Sequence, residues 1–183
     1  MTTLQSSTHK FQKNQWLEAV KTAGCGLALA LGLHTFVAEV RYIPSESMTP
    51  TLQVGDRLII EKLSYRIYAP QRRDIVVFKA PPKLEAQHFH GTLIKRIVGI
   101  PGDVVAVEQG RVYVNGEAIT EPYVHTPANY SYGPVTIPSD QYFVLGDNRT
   151  HSYDSHFWGF LPRQNIIGRT IFRFTPLQHL QVF

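Results

Sequence analysis

The longest apolar pattern of the chain lies near its N-terminus. Residues 22–38, TAGCGLALALGLHTFVA, form an uncharged run between Lys21 and Glu39. As a helix with a rise of 1.5 Å per residue, this run spans about 26 Å, close to the ~30 Å hydrocarbon core of a bilayer. Between Gly24 and Leu33 no polar face recurs at helical spacing, which argues against a helix buried in a soluble core. The pattern predicts one transmembrane helix over residues 22–40.

The charges before this run predict its orientation. The flanking segment contains three lysines and one acid: Lys10, Lys13, Lys21 and Glu18. Because a positive flank favours the cytoplasmic side of a membrane, we expect a short cytoplasmic segment at 1–21. The domain at 41–183 would then lie on the extracytoplasmic side.

A cleavable signal peptide is the alternative interpretation of the same run. Cleavage after Ala38 would place Phe36 at the −3 position, where a small residue is required. The pattern therefore favours a retained anchor.

Beyond Tyr42 the pattern changes to short runs of β-branched and aromatic residues separated by Gly and Pro. Seven of these runs predict strands: Arg57–Lys62, Ile75–Lys79, Leu93–Val98, Val104–Glu108, Arg111–Val114, Tyr142–Leu145 and Thr170–Phe174. Gln109-Gly110 and Asn115-Gly116 predict tight turns, and residues 81–91 and 121–138 predict long loops. Since no long amphipathic helix separates the strands, we expect a mostly β domain, a folded antiparallel barrel or sandwich, after the membrane helix.

Composition excludes several classes of function. The chain has 183 residues and a net charge of +4, but its basic residues are scattered, so we expect no nucleic-acid partner. The single cysteine, Cys25, excludes an intrachain disulfide and a cysteine zinc site. His88 and His90 have no further ligand at a useful spacing, so neither a metal nor another cofactor is expected.

Two polar features are placed where a reaction could use them. Residues 44–52, PSESMTPTL, are rich in hydroxyls and framed by prolines that restrict the backbone; taken alone, this is equally the pattern of a rigid linker. Lys95 lies within an apolar strand, directly after Ile94 and two residues before Ile97. A strand with one wet face would place this lysine in water. Burial would instead lower its pKa and leave a neutral amine, which can accept a proton from a serine hydroxyl.

An ordered series of motifs resembles the type I (leader) signal peptidases. In chain order the motifs are Pro44-Ser45-x-Ser47-Met48-x-Pro50-Thr51-Leu52, Gly55-Asp56, Arg73-Asp74-Ile75-Val76-Val77-Phe78, Lys95-Arg96 with Gly99-x-Pro101-Gly102-Asp103, and Gly146-Asp147-Asn148-Arg149-x-x-Ser152-x-Asp154-Ser155. The similarity extends from about Tyr42 to Phe174. It implies a membrane-bound serine endopeptidase whose partners are the lipid bilayer and the signal peptides of exported preproteins. Such an enzyme cleaves after small residues, in an Ala-x-Ala pattern, through an acyl-enzyme, at the plasma membrane or a thylakoid.

The resemblance also implies roles for individual residues. Ser47 matches the nucleophile and Lys95 the general base, while the Ser45 hydroxyl and the Ser47 backbone N–H would hold the oxyanion. Ser152 matches a serine that orients the lysine amine. Four charged residues match groups that support the site: Arg96, Asp147, Arg149 and Asp154. Pockets for small side chains map onto six residues: Ile43, Pro44, Met48, Leu52, Val77 and Ile94.

The sequence departs from the family pattern at a few positions. Arg72-Arg73-Asp74 stands where Arg-Gly-Asp is usual, Thr150-His151 stands where Asp-Asn is common, and His156 replaces a frequent arginine. These departures concern polar groups around the implied dyad of Ser47 and Lys95 and leave the dyad itself intact. With one apolar run and a short chain, the protein resembles the compact members of the family.

Other functions share parts of this pattern. A Ser-His-Asp hydrolase could be assembled from two histidines and two aspartates close together in the chain: His151, His156, Asp147 and Asp154. Self-cleaving repressor-type proteases share the dyad, but they would have a DNA-binding domain in place of the apolar run. A membrane-tethered β-domain that only binds would share the anchor, and turnover of a preprotein separates it from a peptidase.

Overall fold

The structure, a computed structural model, describes residues 16–28, 32, 38–176 and 180–183. The chain divides into two units, residues 1–38 and 39–183. In the first unit, residues 16–28 form a helix, α1, whose side chains are exposed. Among the described residues, no helix combines the length and the hydropathy needed to cross a membrane.

The predicted transmembrane span of 22–40 falls only partly on described residues. Residues 22–28 and 32 are helical, whereas 29–31 and 33–37 lie outside the described residues. The predicted end at residue 40 is too late, because Ala38–Tyr42 forms a strand. Its sequence, AEVRY, alternates apolar and charged residues with the period of two that suits a strand.

Short strands make up the second unit. Among the described residues they are β1 (Ala38–Tyr42), β2 (Arg57–Glu61), β3 (Ile75–Lys79), β4 (Thr92–Gly99), β5 (Val104–Glu108), β6 (Arg111–Val114), β7 (Glu117–Ala118), β8 (Tyr132–Thr136), β9 (Gln141–Leu145), β10 (Leu161–Pro162), β11 (Ile166–Thr175) and β12 (Gln181–Val182). The connections include α2 (Ser64–Ile67), α3 (Pro82–Glu85), α4 (Ser155–Trp158) and a 3-10 helix at Arg163–Asn165.

The strands form two sheets. Every strand pairing among β2 through β12 is antiparallel. The larger sheet has the order β1-β2-β11-β3-β4-β9-β10 with β12 beside β11, and the smaller has the order β7-β6-β5-β8. On one edge, β4 pairs with β3 along Thr92–Arg96; on the other, it pairs with β9 only from Arg96 to Gly99. Residues 92–95 therefore have a strand partner on one edge alone among the described elements.

The core places β4 at the meeting point of three clusters of buried side chains. Ile97 belongs to the first cluster, Val98 to the second and Ile94 to the third. Because both faces of the strand are covered, its polar residues are buried as well: Lys95 is 4% exposed and Arg96 is 7% exposed. The interpretation in which Lys95 faces water is wrong for this reason.

The mostly β, antiparallel fold predicted from the sequence is confirmed, and each of the seven predicted runs overlaps a strand. Both predicted turns have two successive residues with positive φ, as tight hairpin turns require. The predicted loop at 121–138 is wrong in part, because it contains β8. This strand was hidden by Gly133-Pro134, which an edge strand tolerates and a central strand does not.

Candidate active site

Ser47 and Lys95 meet although 48 positions separate them in the chain. Lys95 Nζ lies 2.7 Å from Ser47 Oγ, and it donates a second hydrogen bond of 3.0 Å to the Ile94 carbonyl. Both residues are buried. A strand thus presents an amine directly to a hydroxyl on a neighbouring loop, which is the geometry of a nucleophile beside its base.

Burial changes the proton affinity of the Lys95 amine. Desolvation lowers its pKa to about 8, while the charges of Asp154 and Asp147 act in the opposite direction. Desolvation has the larger effect because it penalises the ammonium form directly. At mildly basic pH, a substantial part of the amine is therefore neutral and able to accept a proton.

The loop that carries Ser47 is anchored by apolar side chains on both sides of the serine. Ile43, Met48 and Leu52 are at most 2% exposed and pack in one cluster with residues of β2, β3 and β4. Backbone hydrogen bonds from Thr49 to Glu46 and from Leu52 to Met48 close the turns of the loop. These anchors hold the hydroxyl in place while leaving it at the surface of a cleft.

Ser45 lies on the open side of the same loop. Its Oγ is 3.4 Å from Ser47 Oγ, and the residue is exposed. The structure thus brings together Ser45, Ser47 and Lys95, the three residues of the predicted chemistry.

Ser152 is placed beside the dyad but not as expected. Its Oγ is buried without a hydrogen-bond partner, so the implied bond to the Lys95 amine is not formed. The hydroxyl packs against Gly146 instead: a Cβ added there would lie 2.3 Å from Ser152 Oγ and 2.4 Å from the Ser47 carbonyl oxygen. Gly146 thus allows the backbone of Ser47 and the side chain of Ser152 to approach closely.

Two buried ion pairs involve Arg96 on β4 and Arg149 in the loop after β9. Arg96 donates to both carboxylate oxygens of Asp147, at 2.8 and 2.6 Å, and to the carbonyl of Arg73 at 2.9 Å. Arg149 donates to the Gly146 carbonyl at 3.0 Å and to both carboxylate oxygens of Glu121 at 2.9 and 2.6 Å. Removing one partner of such a pair leaves a buried charge uncompensated and costs about 3–5 kcal/mol.

Asp154 connects the remaining polar groups. One carboxylate oxygen accepts from the Gly146 N–H at 2.9 Å, and the other lies 2.7 Å from His156 Nδ1. The His156 ring stacks on Tyr130, with centroids 3.8 Å apart. Because no serine hydroxyl in the described part of the chain bonds to His151 or His156, the geometry does not support a Ser-His-Asp site.

A cleft of about 380 Å³ opens in front of the dyad. It is lined by ten residues: Pro44, Ser45, Ser47, Phe89, Thr92, Leu93, Ile94, Lys95, His151 and Tyr153. Of the six predicted pocket residues, Pro44 and Ile94 are among these. Four are not part of the cleft lining because they lie behind it in the core: Ile43, Met48, Leu52 and Val77.

Residues 16–175 match the family described as signal peptidase, peptidase S26. The chain belongs to this family. It is 58% identical over 165 residues to a probable signal peptidase I-2 of Synechocystis sp., covering 90% of this chain and 76% of the relative. It is 53% identical over 166 residues to a signal peptidase I of Leptolyngbya laminosa, covering 90% and 82%. A probable thylakoidal processing peptidase 2 of Arabidopsis thaliana is 46% identical over 162 residues, covering 87% of this chain and 44% of the relative.

The residues that depart from the family motifs have defined surroundings in this peptidase. Arg73, in the position where glycine is usual, has a φ of 80°, a conformation that glycine adopts without a steric penalty. Arg72 donates to Asp103 at 2.9 Å. Thr150 and His151 bond to each other through their side chains at 2.9 Å. Together with His156 on Asp154, these contacts leave the Ser47–Lys95 contact undisturbed.

The predicted site omitted Asn148, although this residue holds the loop that contains Ser47. Its amide nitrogen donates to the Glu46 carbonyl at 3.2 Å and to Thr49 Oγ1 at 3.0 Å. The only signal in the sequence is its position between Asp147 and Arg149 in the last motif. Phe89 and Tyr153, which line the cleft, had no such signal, because an exposed aromatic residue in a loop has no distinctive pattern.

Gly146→Ala should reduce the cleavage rate by about 100-fold or more, because displacement of a catalytic group by about 1 Å has an effect of this size. The added Cβ would meet the Ser47 carbonyl oxygen, which is backbone and cannot rotate away. Turnover of a preprotein in detergent is the measurement. Gly24→Ala is the control, since its Cβ would meet nothing within 4 Å. Wild-type turnover in Gly146→Ala would contradict the tight packing of this loop on Ser47.

Proposed function

We propose that Ser47 is the nucleophile and Lys95 the general base with which this chain removes signal peptides. As a member of the signal peptidase family, the protein is a serine endopeptidase that acts on preproteins. The observation that carries the residue assignment is the 2.7 Å contact between Lys95 Nζ and Ser47 Oγ, made by an amine whose burial lowers its pKa to about 8. A neutral amine at this distance can accept the hydroxyl proton as the oxygen attacks.

The reaction then proceeds in two halves. Ser47 Oγ bonds to the carbonyl carbon of the scissile peptide while its proton passes to Lys95 Nζ. The resulting ammonium donates this proton to the leaving amine nitrogen as the C–N bond breaks, which leaves an ester on Ser47 and frees the mature protein. In the second half, water attacks the ester carbonyl carbon while its proton passes to Lys95 Nζ. The ammonium then returns this proton to Ser47 Oγ as the ester C–O bond breaks, which restores the hydroxyl and releases the signal peptide with a new carboxyl group.

The oxyanion of each tetrahedral intermediate requires hydrogen-bond donors. The Ser47 backbone N–H and the Ser45 hydroxyl, which lies 3.4 Å from Ser47 Oγ, are the candidate donors. Their position on the anchored loop supports this role, since preorganised donors stabilise charge at little reorganisation cost.

The open edge of β4 is the proposed place for the substrate backbone. Thr92, Ile94 and Lys95 line the cleft, and residues 92–95 pair with β3 on the opposite edge. An extended peptide can therefore add as a strand beside β4 and bring its scissile bond to the dyad. Side chains of such a strand alternate in direction, so small residues two apart, as in Ala-x-Ala, would face Pro44 and Ile94.

We also infer that the N-terminal part anchors the peptidase in a membrane, with the domain at 41–183 on the extracytoplasmic side or in a thylakoid lumen. The uncharged run at 22–38 and the lysines before it support this topology. The thylakoidal name of a relative that is 46% identical agrees with a membrane location.

Ser47→Ala, Lys95→Met and Lys95→Arg should each reduce cleavage by about 10⁴-fold, and a double variant should lose little more, because the two residues act as a unit. Lys95→Met retains the length and apolar burial of the side chain without the amine. Lys95→Arg retains a charge that cannot be removed at working pH. Lys79→Met, at an exposed position of β3, is the control. Activity retained in Lys95→Met would refute the assignment of the base.

Activity should rise with pH through about 8, because Lys95 must lose its proton before it accepts one from Ser47. Asp154→Asn should shift this acid limb to lower pH, since the Asp154 charge raises the pKa of Lys95 and the amide oxygen can still accept from the Gly146 N–H. The measurement is the pH profile of kcat/KM, with the exposed Asp140→Asn as control. An unmoved limb in Asp154→Asn, or a limb lost in His151→Ala, would show that another group titrates.

The membrane topology is testable through Cys25, the one cysteine of the chain. In sealed vesicles of the full-length protein, Cys25 should resist a membrane-impermeant maleimide and become reactive on addition of detergent, because a bilayer would shield it. Cys25→Ser combined with Ser139→Cys, at an exposed position of the β-rich unit, reports the side on which this unit lies. Rapid labelling of Cys25 in intact vesicles would contradict the anchor.

A further inference from the structure

The side chain of Asn148 connects residues 44–52, the nucleophile loop, to the loop that follows β9. Asn148 Nδ2 donates to the Glu46 carbonyl at 3.2 Å and to Thr49 Oγ1 at 3.0 Å. Because a carbonyl oxygen can only accept, the amide nitrogen must face it. The backbone N–H of Asn148 adds a third link, 3.1 Å from the Ser47 carbonyl oxygen.

Three donors converge on the Glu46 carbonyl. Besides Asn148, the Thr49 N–H donates to it at 3.0 Å and Thr49 Oγ1 at 2.8 Å. The two donors of Thr49 belong to the nucleophile loop and fix its internal shape. Asn148 belongs to the other loop. Its contacts fix the position of the nucleophile loop relative to Gly146 and Lys95.

The direction of the Glu46 carbonyl determines the direction of the next N–H group. The peptide between Glu46 and Ser47 is not among the cis bonds of the chain, and in a planar trans peptide the C=O and the following N–H point in opposite directions. Asn148 and Thr49 hold the Glu46 carbonyl, so the Ser47 N–H points away from these two residues. Among the described residues, nothing accepts a hydrogen bond from that N–H.

We propose that Asn148 is a positioning residue for the oxyanion site: by holding the Glu46 carbonyl, it orients the Ser47 N–H toward the oxygen that becomes negative in the reaction. The inference rests on the proposed role of Ser47 as nucleophile. Asn148 touches neither the substrate nor the proton in transfer, so its effect reaches the reaction only through the peptide plane.

A side chain that acts in this way affects the transition state more than the bound substrate. In Asn148→Ala the backbone link and both Thr49 donors remain, so the loop keeps its turn but loses one restraint. We expect kcat to fall by about 10- to 100-fold with KM nearly unchanged, since small displacements of catalytic groups have effects of this size. The acid limb of the pH profile should not move, because the surroundings of Lys95 are unaltered.

The test compares Asn148→Ala and Asn148→Asp with Asn165→Ala in the full-length enzyme. Asp is nearly isosteric but cannot donate, so it should not restore the rate. Asn165 is the matched control: its Nδ2 also donates to two backbone carbonyls, those of Lys79 and Ala80 at 3.3 and 2.9 Å, but it holds a different loop. We expect wild-type kcat in Asn165→Ala.

A peptide aldehyde with an Ala-x-Ala sequence separates orientation of the oxyanion site from general loosening. Its adduct with Ser47 is tetrahedral, so its affinity should fall in Asn148→Ala by the same factor as kcat/KM. The uncleaved parent peptide should bind equally well to Ser47→Ala and to the double variant Ser47→Ala/Asn148→Ala. Equal losses for the aldehyde and the parent peptide would overturn the proposal.

The outcomes distinguish this inference from the dyad assignment. If Ser47→Ala and Lys95→Met are inactive while Asn148→Ala has wild-type kcat, the positioning role fails and the dyad stands. If Lys95→Met is active, the dyad fails first. Should the urea midpoint show that Asn148→Ala does not fold, Thr49→Val removes the hydroxyl from the same carbonyl and is expected to lower kcat in the same direction.

Discussion

The desolvation of a single lysine is the constraint on which the rest of the structure depends. A lysine in water remains charged at neutral pH and cannot act as a base. Lys95 loses this preference because β4 is covered on both faces, which lowers the pKa of its amine to about 8. The fold therefore has to supply a strand that is buried along most of its length, yet open on one edge where a peptide can reach it.

The carboxylates near the lysine make this constraint harder to satisfy. Asp154 and Asp147 both raise the pKa of Lys95. Carboxylates without partners at these positions would therefore counteract the lowering of this pKa by desolvation. Each has compensating partners: Arg96 binds both oxygens of Asp147, and the Gly146 N–H and His156 bind Asp154. The buried polar network is thus arranged so that acids can shape the loop after β9 without restoring the charge on the amine.

Sequence patterns predicted the parts of this arrangement that depend on periodicity. Seven strands were visible as β-branched runs, and Lys95 stood out because it interrupts one of them. The pocket residues were less predictable: Ile43, Met48, Leu52 and Val77 are apolar residues near the motifs, and no pattern tells whether such a side chain lines a cleft or anchors the loop from behind. Asn148 and β8 were missed because both depend on contacts that are distant in sequence or on an edge position that tolerates proline.

Lys95 and Ser47 lie on different kinds of element, a strand and a loop, so different interactions determine the properties of each. The proposed base, Lys95, is on a strand, where the packing of three clusters lowers the proton affinity of the amine and the charges of Asp154 and Asp147 raise it. The proposed nucleophile, Ser47, is on a loop, where apolar anchors and hydrogen bonds determine the direction of its hydroxyl. Changes in the sheet, or in the charges of the loop after β9, should therefore alter the pH at which the enzyme works, whereas changes in the loop that contains Ser47 should alter the rate at its optimum. A fold that separates proton affinity from orientation in this way lets either property vary while the other is preserved.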